Sequence, residues 1–152
     1  MSQEAQTNKW DLRFLQLAKF ISTWSKDPST QTGAVIVRPN NSICSVGFNG
    51  FPAAMVDDET NYNDRDEKYS RIIHCEMNAA KFATEDLRGY TLYTYPFMSC
   101  DRCFVHMANY GITRFVAPVA SLDKQERWES AFERVRSYAA EMNLELVEVE
   151  WT

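Results

Sequence analysis

Residues 91–117, TLYTYPFMSCDRCFVHMANYGITRFVA, contain a complete strand–helix–strand unit. The run 91–95 is rich in Thr and Tyr, as is typical of a strand, and a turn follows it. A helix is predicted over 100–110, ended by Gly111, and a second strand over 112–117. Because a helix separates the two strands, we expect them to run parallel in one sheet.

The rest of the chain extends this unit on both sides. The predicted elements are a helix that begins after Asn8, hairpin strands 33–37 and 43–48, a helix over 75–83, a helix over 123–142 and a strand over 144–151. Residues 53–70 are polar and acidic and predict a surface insertion with a short helix. The fold class is therefore α/β, with helices on both faces of a mixed five-stranded sheet.

Composition limits the class of protein. The chain has 152 residues, of which 45% are hydrophobic and 24% charged, so one soluble domain over 1–152 is expected. No apolar run is long enough to cross a membrane, and the polar start lacks the apolar core of a signal peptide. Four cysteines are too few for a disulfide scaffold, and a net charge of −5 disfavours a stable nucleic-acid partner. These features favour a cytoplasmic location.

Metal-binding residue types stand at the start of two predicted helices. His74 begins one helix, and Cys100 and Cys103 lie on the first turn of the other. Cysteines at i and i+3 can direct both sulfurs at one ion, and the positive helix terminus favours their thiolates. With His74 they form a three-ligand set that leaves the fourth tetrahedral position open, as in catalytic zinc sites. The sequence therefore predicts a catalytic Zn²⁺ centre.

Glu76, two residues after His74, is expected to move protons rather than bind metal. Zinc lowers the pKa of a bound water toward ~7, and a nearby carboxylate can accept and deliver the proton. The signature of zinc deaminases is His-x-Glu followed by Pro-Cys-x-x-Cys, although Cys-x-x-Cys alone also fits a redox or structural role. His106, one turn after Cys103, is within reach of the site but is expected to face solvent or to pack, and Cys44 is expected in the core.

The chain resembles the deoxycytidylate (dCMP) deaminases of the cytidine deaminase superfamily over about residues 10–120. The blocks that carry the resemblance are Ser25-Lys26-Asp27-Pro28, Gln31-Thr32-Gly33-Ala34, Gly47-Phe48-Asn49-Gly50-Phe51-Pro52, Lys68-Tyr69, His74-Cys75-Glu76-Met77-Asn78-Ala79 and Cys100-Asp101-Arg102-Cys103. The chain departs from the family at Ser99, where proline is usual, at Thr32, where valine is usual, and at Arg102, where an acidic residue is often found.

The resemblance implies a cytidine deaminase-like three-layer α/β/α fold that hydrolyses dCMP to dUMP and ammonia with zinc. His74, Cys100 and Cys103 would hold the metal. Glu76 would protonate ring N3 while activated water attacks C4, and would then protonate the leaving amine. Asn49 would hydrogen bond the sugar.

The remaining substrate contacts have several candidates. Cys75 adjoins the metal ligands and is either a substrate contact or a small packed residue. For the phosphate, the turn of Ser25 and Lys26 competes with Arg71 and Arg65, because each offers a cation or a hydroxyl. Lys26 fits an ordinary exposed turn lysine equally well.

The resemblance also implies a homo-oligomer, a hexamer or a trimer, with dCTP and dTTP as effectors. Two other substrates stay open: a 5-substituted dCMP, because the turn 96–99 departs from the family, and tRNA or single-stranded nucleic acid. The second is disfavoured by the acidic insertion and the acidic last helix, since strand binding needs a basic groove. A non-catalytic zinc protein is disfavoured because no structural role requires Glu76.

Overall fold

A computed structural model describes residues 7–151. Its helices and strands are α1 (Lys9–Ser22), β1 (Gly33–Val37), β2 (Ile43–Phe48), α2 (Glu59–Asn63), α3 (Arg65–Arg71), α4 (Cys75–Phe82), β3 (Thr91–Tyr95), α5 (Asp101–Asn109), β4 (Arg114–Pro118), α6 (Leu122–Glu141) and β5 (Glu145–Val149). The ends of the expected domain, residues 1 and 152, lie outside the described part. Within that part, no helix combines the length and apolar character needed to cross a membrane.

The five strands form one mixed sheet in the order β2-β1-β3-β4-β5. β1 is antiparallel to both β2 and β3, whereas β3, β4 and β5 are parallel neighbours. The antiparallel pairing of β1 and β2 confirms the predicted hairpin. The predicted parallel crossovers are also confirmed, because β2, β3, β4 and β5 all run in the same direction, although β1 lies between β2 and β3. Strands β1, β2 and β3 have the predicted bounds, while β4 begins two residues later than predicted, at Arg114.

Helices cover both faces of the sheet, which confirms the predicted three-layer α/β/α class. α1 packs on one face, where Leu15 and Ala18 meet Val35 and Val37. α4, α5 and α6 cover the other face, where the buried cluster includes Ala79, Phe104 and Val135. All five residues of β1 are buried because the strand is central and its side chains alternate between these two cores.

A buried ion pair ties α1 to the sheet. Asp11 is fully buried, and the Arg114 guanidinium donates to both of its carboxylate oxygens, at 2.6 and 2.8 Å. The Tyr93 hydroxyl donates to the same carboxylate at 2.7 Å. Burial alone would raise the pKa of Asp11, but these hydrogen bonds outweigh it and the pKa lies below its usual value.

The insertion contains two short helices rather than one. The Asp58 side chain accepts from the backbone N–H of Asn61 and caps α2. Asp64 accepts from two backbone N–H groups at the start of α3. Each aspartate satisfies amides that the helix itself leaves free, so the segment folds as two capped turns.

Candidate active site and metal centre

The site lies at the edge of the sheet where β1 begins and β2 and β3 end. Helices α4 and α5 begin at the same edge. Gly47 of β2 permits a close approach of α4, because a Cβ there would lie 2.4 Å from the backbone nitrogen of Ala79. Backbone hydrogen bonds between Gly50 and Ile73, at 2.8 and 3.1 Å, then join the end of β2 to the residue before His74.

The predicted metal ligands lie together. His74 is the N-cap of α4, Cys100 is the N-cap of α5, and Cys103 is on the first turn of α5. Nδ1 of His74 is 3.1 Å from Sγ of Cys103 and 3.6 Å from Sγ of Cys100. The three donor atoms lie within 4.8 Å of one another, and His74 is exposed while Cys103 is buried. The cluster therefore has a buried side and an accessible side.

The proton balance of this cluster favours metal binding. A hydrogen bond from Cys103 lowers the pKa of Cys100 to about 4, and the interaction with Cys100 raises the pKa of His74. The pKa of Cys103 is raised, since it holds the proton that the two sulfurs share. The backbone N–H of Cys103 also donates to Sγ of Cys100 at 3.5 Å. The lowered pKa of Cys100 favours the thiolate form that a metal needs, and the helix N-terminus favours the same form.

The donor set fits zinc. One imidazole nitrogen and two thiolates are ligands that Zn²⁺ prefers, and typical bond lengths predict a nitrogen–sulfur separation of about 3.5 Å in a tetrahedron. The observed separations of 3.1 and 3.6 Å bracket that value. With three protein ligands, a fourth position stays available on the accessible side.

Glu76 is buried beside the cluster. It is 4% exposed and lies on the first turn of α4. Glu76 lines the same pocket as His74 and Cys100, and its charge contributes to raising the pKa values of His74 and Cys103. The Cys75 thiol donates to Oε1 of Glu76 at 2.9 Å, and burial raises the pKa of Cys75 well above its usual value. Cys75 is therefore a neutral donor that orients the carboxylate.

A pocket connects the metal cluster with a second polar group around Asp27. Glu76, Asn49 and Asp27 all line it. One oxygen of Asp27 accepts from Lys68 Nζ at 2.8 Å and from the backbone N–H of Ser29 at 2.8 Å. The other oxygen accepts from the Asn49 amide at 3.2 Å. Asp27 thus links Asn49, the residue predicted to bind the sugar, with Lys68 farther along the pocket.

Comparison with known proteins agrees with this geometry. Residues 8–119 match the family model described as the cytidine and deoxycytidylate deaminase zinc-binding region. The chain belongs to this family. The matched region includes the three metal ligands and Glu76, whereas α6 and β5 lie outside it.

Relatives support the same membership, and a solved structure shares the fold. The chain is 41% identical over 121 residues to an uncharacterized deaminase from the luxG 3′ region of Aliivibrio fischeri, which covers 80% of both chains. It is 33% identical over 114 residues to deoxycytidylate deaminase of Mus musculus, covering 71% of this chain but 64% of that enzyme. The dCMP deaminase of cyanophage S-TIM5 in complex with dCMP and dUMP has the same fold, with a TM-score of 0.73, 18% identity and coverage of 95% of this chain and 100% of that one.

Several residues predicted for the deaminase site lie away from the pocket lining. Ser25 is buried, and its hydroxyl donates to the backbone oxygen of Asn49 at 2.9 Å. Lys26 points outward and donates to Asp57 at 2.9 Å. Arg71 donates to Glu67 at 2.9 Å, one turn earlier in α3. Their assignment to substrate binding stays a prediction that the pocket geometry does not favour.

The pocket is also lined by residues that the sequence analysis did not assign to it. Asp27 and Lys68 lie in the blocks that carry the family resemblance but were given no role. Their presence in those blocks was the signal that could have found them. Arg127, Trp128 and Phe132 come from α6. No local motif marks these three, because only the packing of α6 on the sheet brings them to the pocket.

His106 and Cys44 lie outside the predicted metal site. His106 is exposed on α5, as predicted. Cys44 packs against the buried core cluster but is only half-buried, because β2 is an edge strand of the sheet, so its predicted core position is confirmed in part. Ser99, where the family usually has proline, is 4% exposed, and its hydroxyl finds no partner among the described residues.

Proposed function

We propose that this chain deaminates dCMP hydrolytically to dUMP and ammonia, with zinc held by His74, Cys100 and Cys103. The observation that carries the proposal is the convergence of this cluster and the buried Glu76 on one pocket. Deoxycytidylate deaminases among the relatives support dCMP as the substrate. Bound there, zinc supplies Lewis-acid activation of water at neutral pH.

Glu76 is the proton carrier in this proposal. Its carboxylate accepts a proton from the attacking water and delivers it to ring N3, and it then carries a second proton to the leaving amine. A carbon–oxygen bond forms at C4, the carbon–nitrogen bond breaks, and ammonia leaves. The Cys75 donor holds Oε1 at 2.9 Å, so the carboxylate keeps one orientation during both transfers.

Asn49 orients the sugar through its side-chain oxygen. Both amide N–H groups are already used, one by Asp27 and one by the backbone oxygen of Thr30. Oδ1 accepts from the backbone N–H of Thr32 at 2.9 Å and keeps a second lone pair. Asn49 therefore acts as an acceptor for a sugar hydroxyl, and its internal bonds fix that acceptor in place.

The wider properties implied by the resemblance belong to the same proposal. They are a homo-oligomer, regulation by dCTP and dTTP, a cytoplasmic location and a single domain. An exposed aromatic patch supports the oligomer: Phe20 and Trp24 are 58% and 53% exposed, and Trp24 meets Phe48 of the edge strand. Apolar surface of this kind is typical of an interface.

The proposal is tested by ammonia release on a sample whose zinc content is measured. The substrates are dCMP, deoxycytidine, 5-methyl-dCMP and an oligonucleotide containing deoxycytidine. We expect turnover of dCMP with about one zinc per chain. Turnover of the oligonucleotide in preference to dCMP, or zinc-loaded protein that releases no ammonia with or without dCTP, would overturn it.

A further inference from the structure

Beyond Asp27, the pocket continues into an outer pocket at the protein surface. The two share Ser29, Lys68, Tyr69 and Arg127 as lining residues. The outer pocket adds Arg65 at the start of α3. A ligand with its reactive end at Glu76 can therefore extend past Lys68 into a region bounded by three different segments of the chain.

The outer pocket is cationic. Arg65, Lys68 and Arg127 line it, and no Asp or Glu is among the residues that do so. Lys68 is paired with Asp27, whereas neither arginine has a carboxylate partner within residues 7–151. The arginines instead lie over aromatic rings, Arg65 at 5.7 Å from Tyr69 and Arg127 at 5.4 Å from Trp128. In a chain of net charge −5, two unpaired cations at one pocket are available to a ligand.

The charge balance specifies the ligand class. Lys68 neutralises Asp27, so the two arginines leave an excess of two positive charges at the outer pocket. A phosphate monoester carries close to two negative charges at neutral pH, and the planar guanidinium suits its oxygens. The acidic residues that the insertion and α6 also carry disfavour a longer polyanion.

We propose that Arg127 and Arg65 hold the 5′-phosphate of the substrate in the outer pocket, and that α6 thereby selects nucleotide over nucleoside. The assignment rests on the proposed deaminase function for the base end of the pocket. Helix α6 lies outside residues 8–119 that match the family model, so the family match by itself assigns no role to Arg127.

The position of α6 does not depend on a bound ligand. Phe132 is 2% exposed and packs 5.7 Å from Phe97, which follows β3. Lys124 donates to the Thr30 hydroxyl at 3.1 Å, which joins the first turns of α6 to the segment that carries Ser29. Arg127 lies between these two contacts along the helix. Its backbone is therefore fixed at the outer pocket before substrate binds.

The test compares Arg127→Ala with the parent on dCMP and deoxycytidine. We expect kcat/KM for dCMP to fall about 10- to 100-fold, as for loss of a charged hydrogen bond, while that for deoxycytidine changes less than about twofold. Arg127→Lys should recover part of the loss. Arg136→Ala is the matched control, since Arg136 lies on the same helix and pairs with Glu148 away from the pocket.

A binding measurement keeps the inference separate from the deaminase assignment. Inorganic phosphate is titrated calorimetrically into the zinc-loaded parent and into the Arg65→Ala and Arg127→Ala variants. Weaker phosphate binding in both variants supports the site even if neither substrate is turned over, in which case only the proposed deamination fails. Equal losses on dCMP and deoxycytidine, or phosphate binding unchanged by both substitutions, would overturn the site.

Discussion

The two ends of the pocket are built in different ways. At the zinc end, His74 and Cys100 are the N-cap residues of two helices, so the local backbone directs their side chains to one point. At the outer end, Arg65 and Lys68 reach the pocket from α3 and Arg127 reaches it from α6, all through long side chains. The zinc end depends on motif spacing, whereas the outer end depends on how the helices pack.

Asp27 lies between the two ends and couples them. Its carboxylate oxygens accept from Lys68 on one side and from Asn49 on the other, at 2.8 and 3.2 Å. Two backbone N–H groups, of Ser29 and Thr30, complete its shell. The two ends and Asp27 therefore have three proposed functions, namely chemistry at Glu76, orientation at Asp27 and charge recognition at Arg127. Each can be tested by one substitution.

The largest effect is expected for Glu76→Gln. The amide keeps the size of the side chain but cannot carry protons, so kcat for dCMP should fall about 10²–10⁴-fold while KM changes little. Zinc content, measured by atomic absorption, should stay that of the parent because Glu76 is not a ligand. Glu133→Gln on the exposed face of α6 is the control for loss of one negative charge. Activity near the parental level would remove Glu76 from the chemistry.

Asp27→Asn should alter binding more than turnover. The new amide presents N–H groups toward the Asn49 amide and loses the charge that pairs with Lys68, so Asn49 loses a partner. We expect the free energy of unfolding to fall by about 1–3 kcal/mol and KM for dCMP to rise about tenfold, because buried polar groups lose their bonds. Urea unfolding and steady-state kinetics measure the two effects. A fall in kcat at unchanged KM would place Asp27 with the chemistry instead.

The zinc end was predictable from the sequence, whereas only Arg65 of the outer end was among the residues that the sequence offered for the phosphate. His74, Cys100 and Cys103 follow from spacing at helix starts, and the bounds of β1, β2 and β3 follow from apolar runs between turn residues. These features depend on neighbours in sequence. Sequence-based predictions are therefore confirmed for features that local backbone geometry determines, such as the clustering of the metal ligands and these strand bounds.

Lys26 shows why most of the outer end was missed. The sequence offered Lys26, Arg71 and Arg65 as competing phosphate candidates, because each is a cation, but Lys26 pairs with Asp57 on the surface while its neighbour Asp27 lines the pocket. Lys68 and Arg127 are 41 and 100 residues from Asp27 in sequence, and only the packing of α3 and α6 brings them to it. The position of one charged side chain leaves no periodic pattern in the sequence. The sequence alone therefore does not show which lysine or arginine reaches the pocket.

Asp27 and the zinc end also differ in whether their buried polar groups have hydrogen-bond partners. Both carboxylate oxygens of Asp27 accept hydrogen bonds, whereas the buried Ser99 hydroxyl beside Cys100 has no partner within residues 7–151. Ser99→Ala removes that group and should raise the free energy of unfolding by about 1 kcal/mol. Thr94→Val is the matched control, because the Thr94 hydroxyl on the same wall donates to the backbone oxygen of Phe97 at 2.9 Å and its loss should destabilise the protein. If Ser99→Ala unfolds at lower urea than the parent, the hydroxyl has a structural partner after all.

The smallest effect is expected for Lys26→Ala. This substitution tests whether Lys26 takes part in substrate binding, since it is next to Asp27 in sequence but points away from the pocket. The Lys26 side chain is 67% exposed, and its ammonium meets Asp57 at 2.9 Å, a surface ion pair outside the pocket lining. That hydrogen bond raises the pKa of Lys26, but an exposed pair of this kind is largely screened by water and salt. We expect kcat/KM for dCMP to stay within about twofold of the parent, and the unfolding midpoint to be unchanged. A tenfold loss on dCMP that spares deoxycytidine would instead make Lys26 a phosphate ligand, because only a contact with the phosphate distinguishes those two substrates.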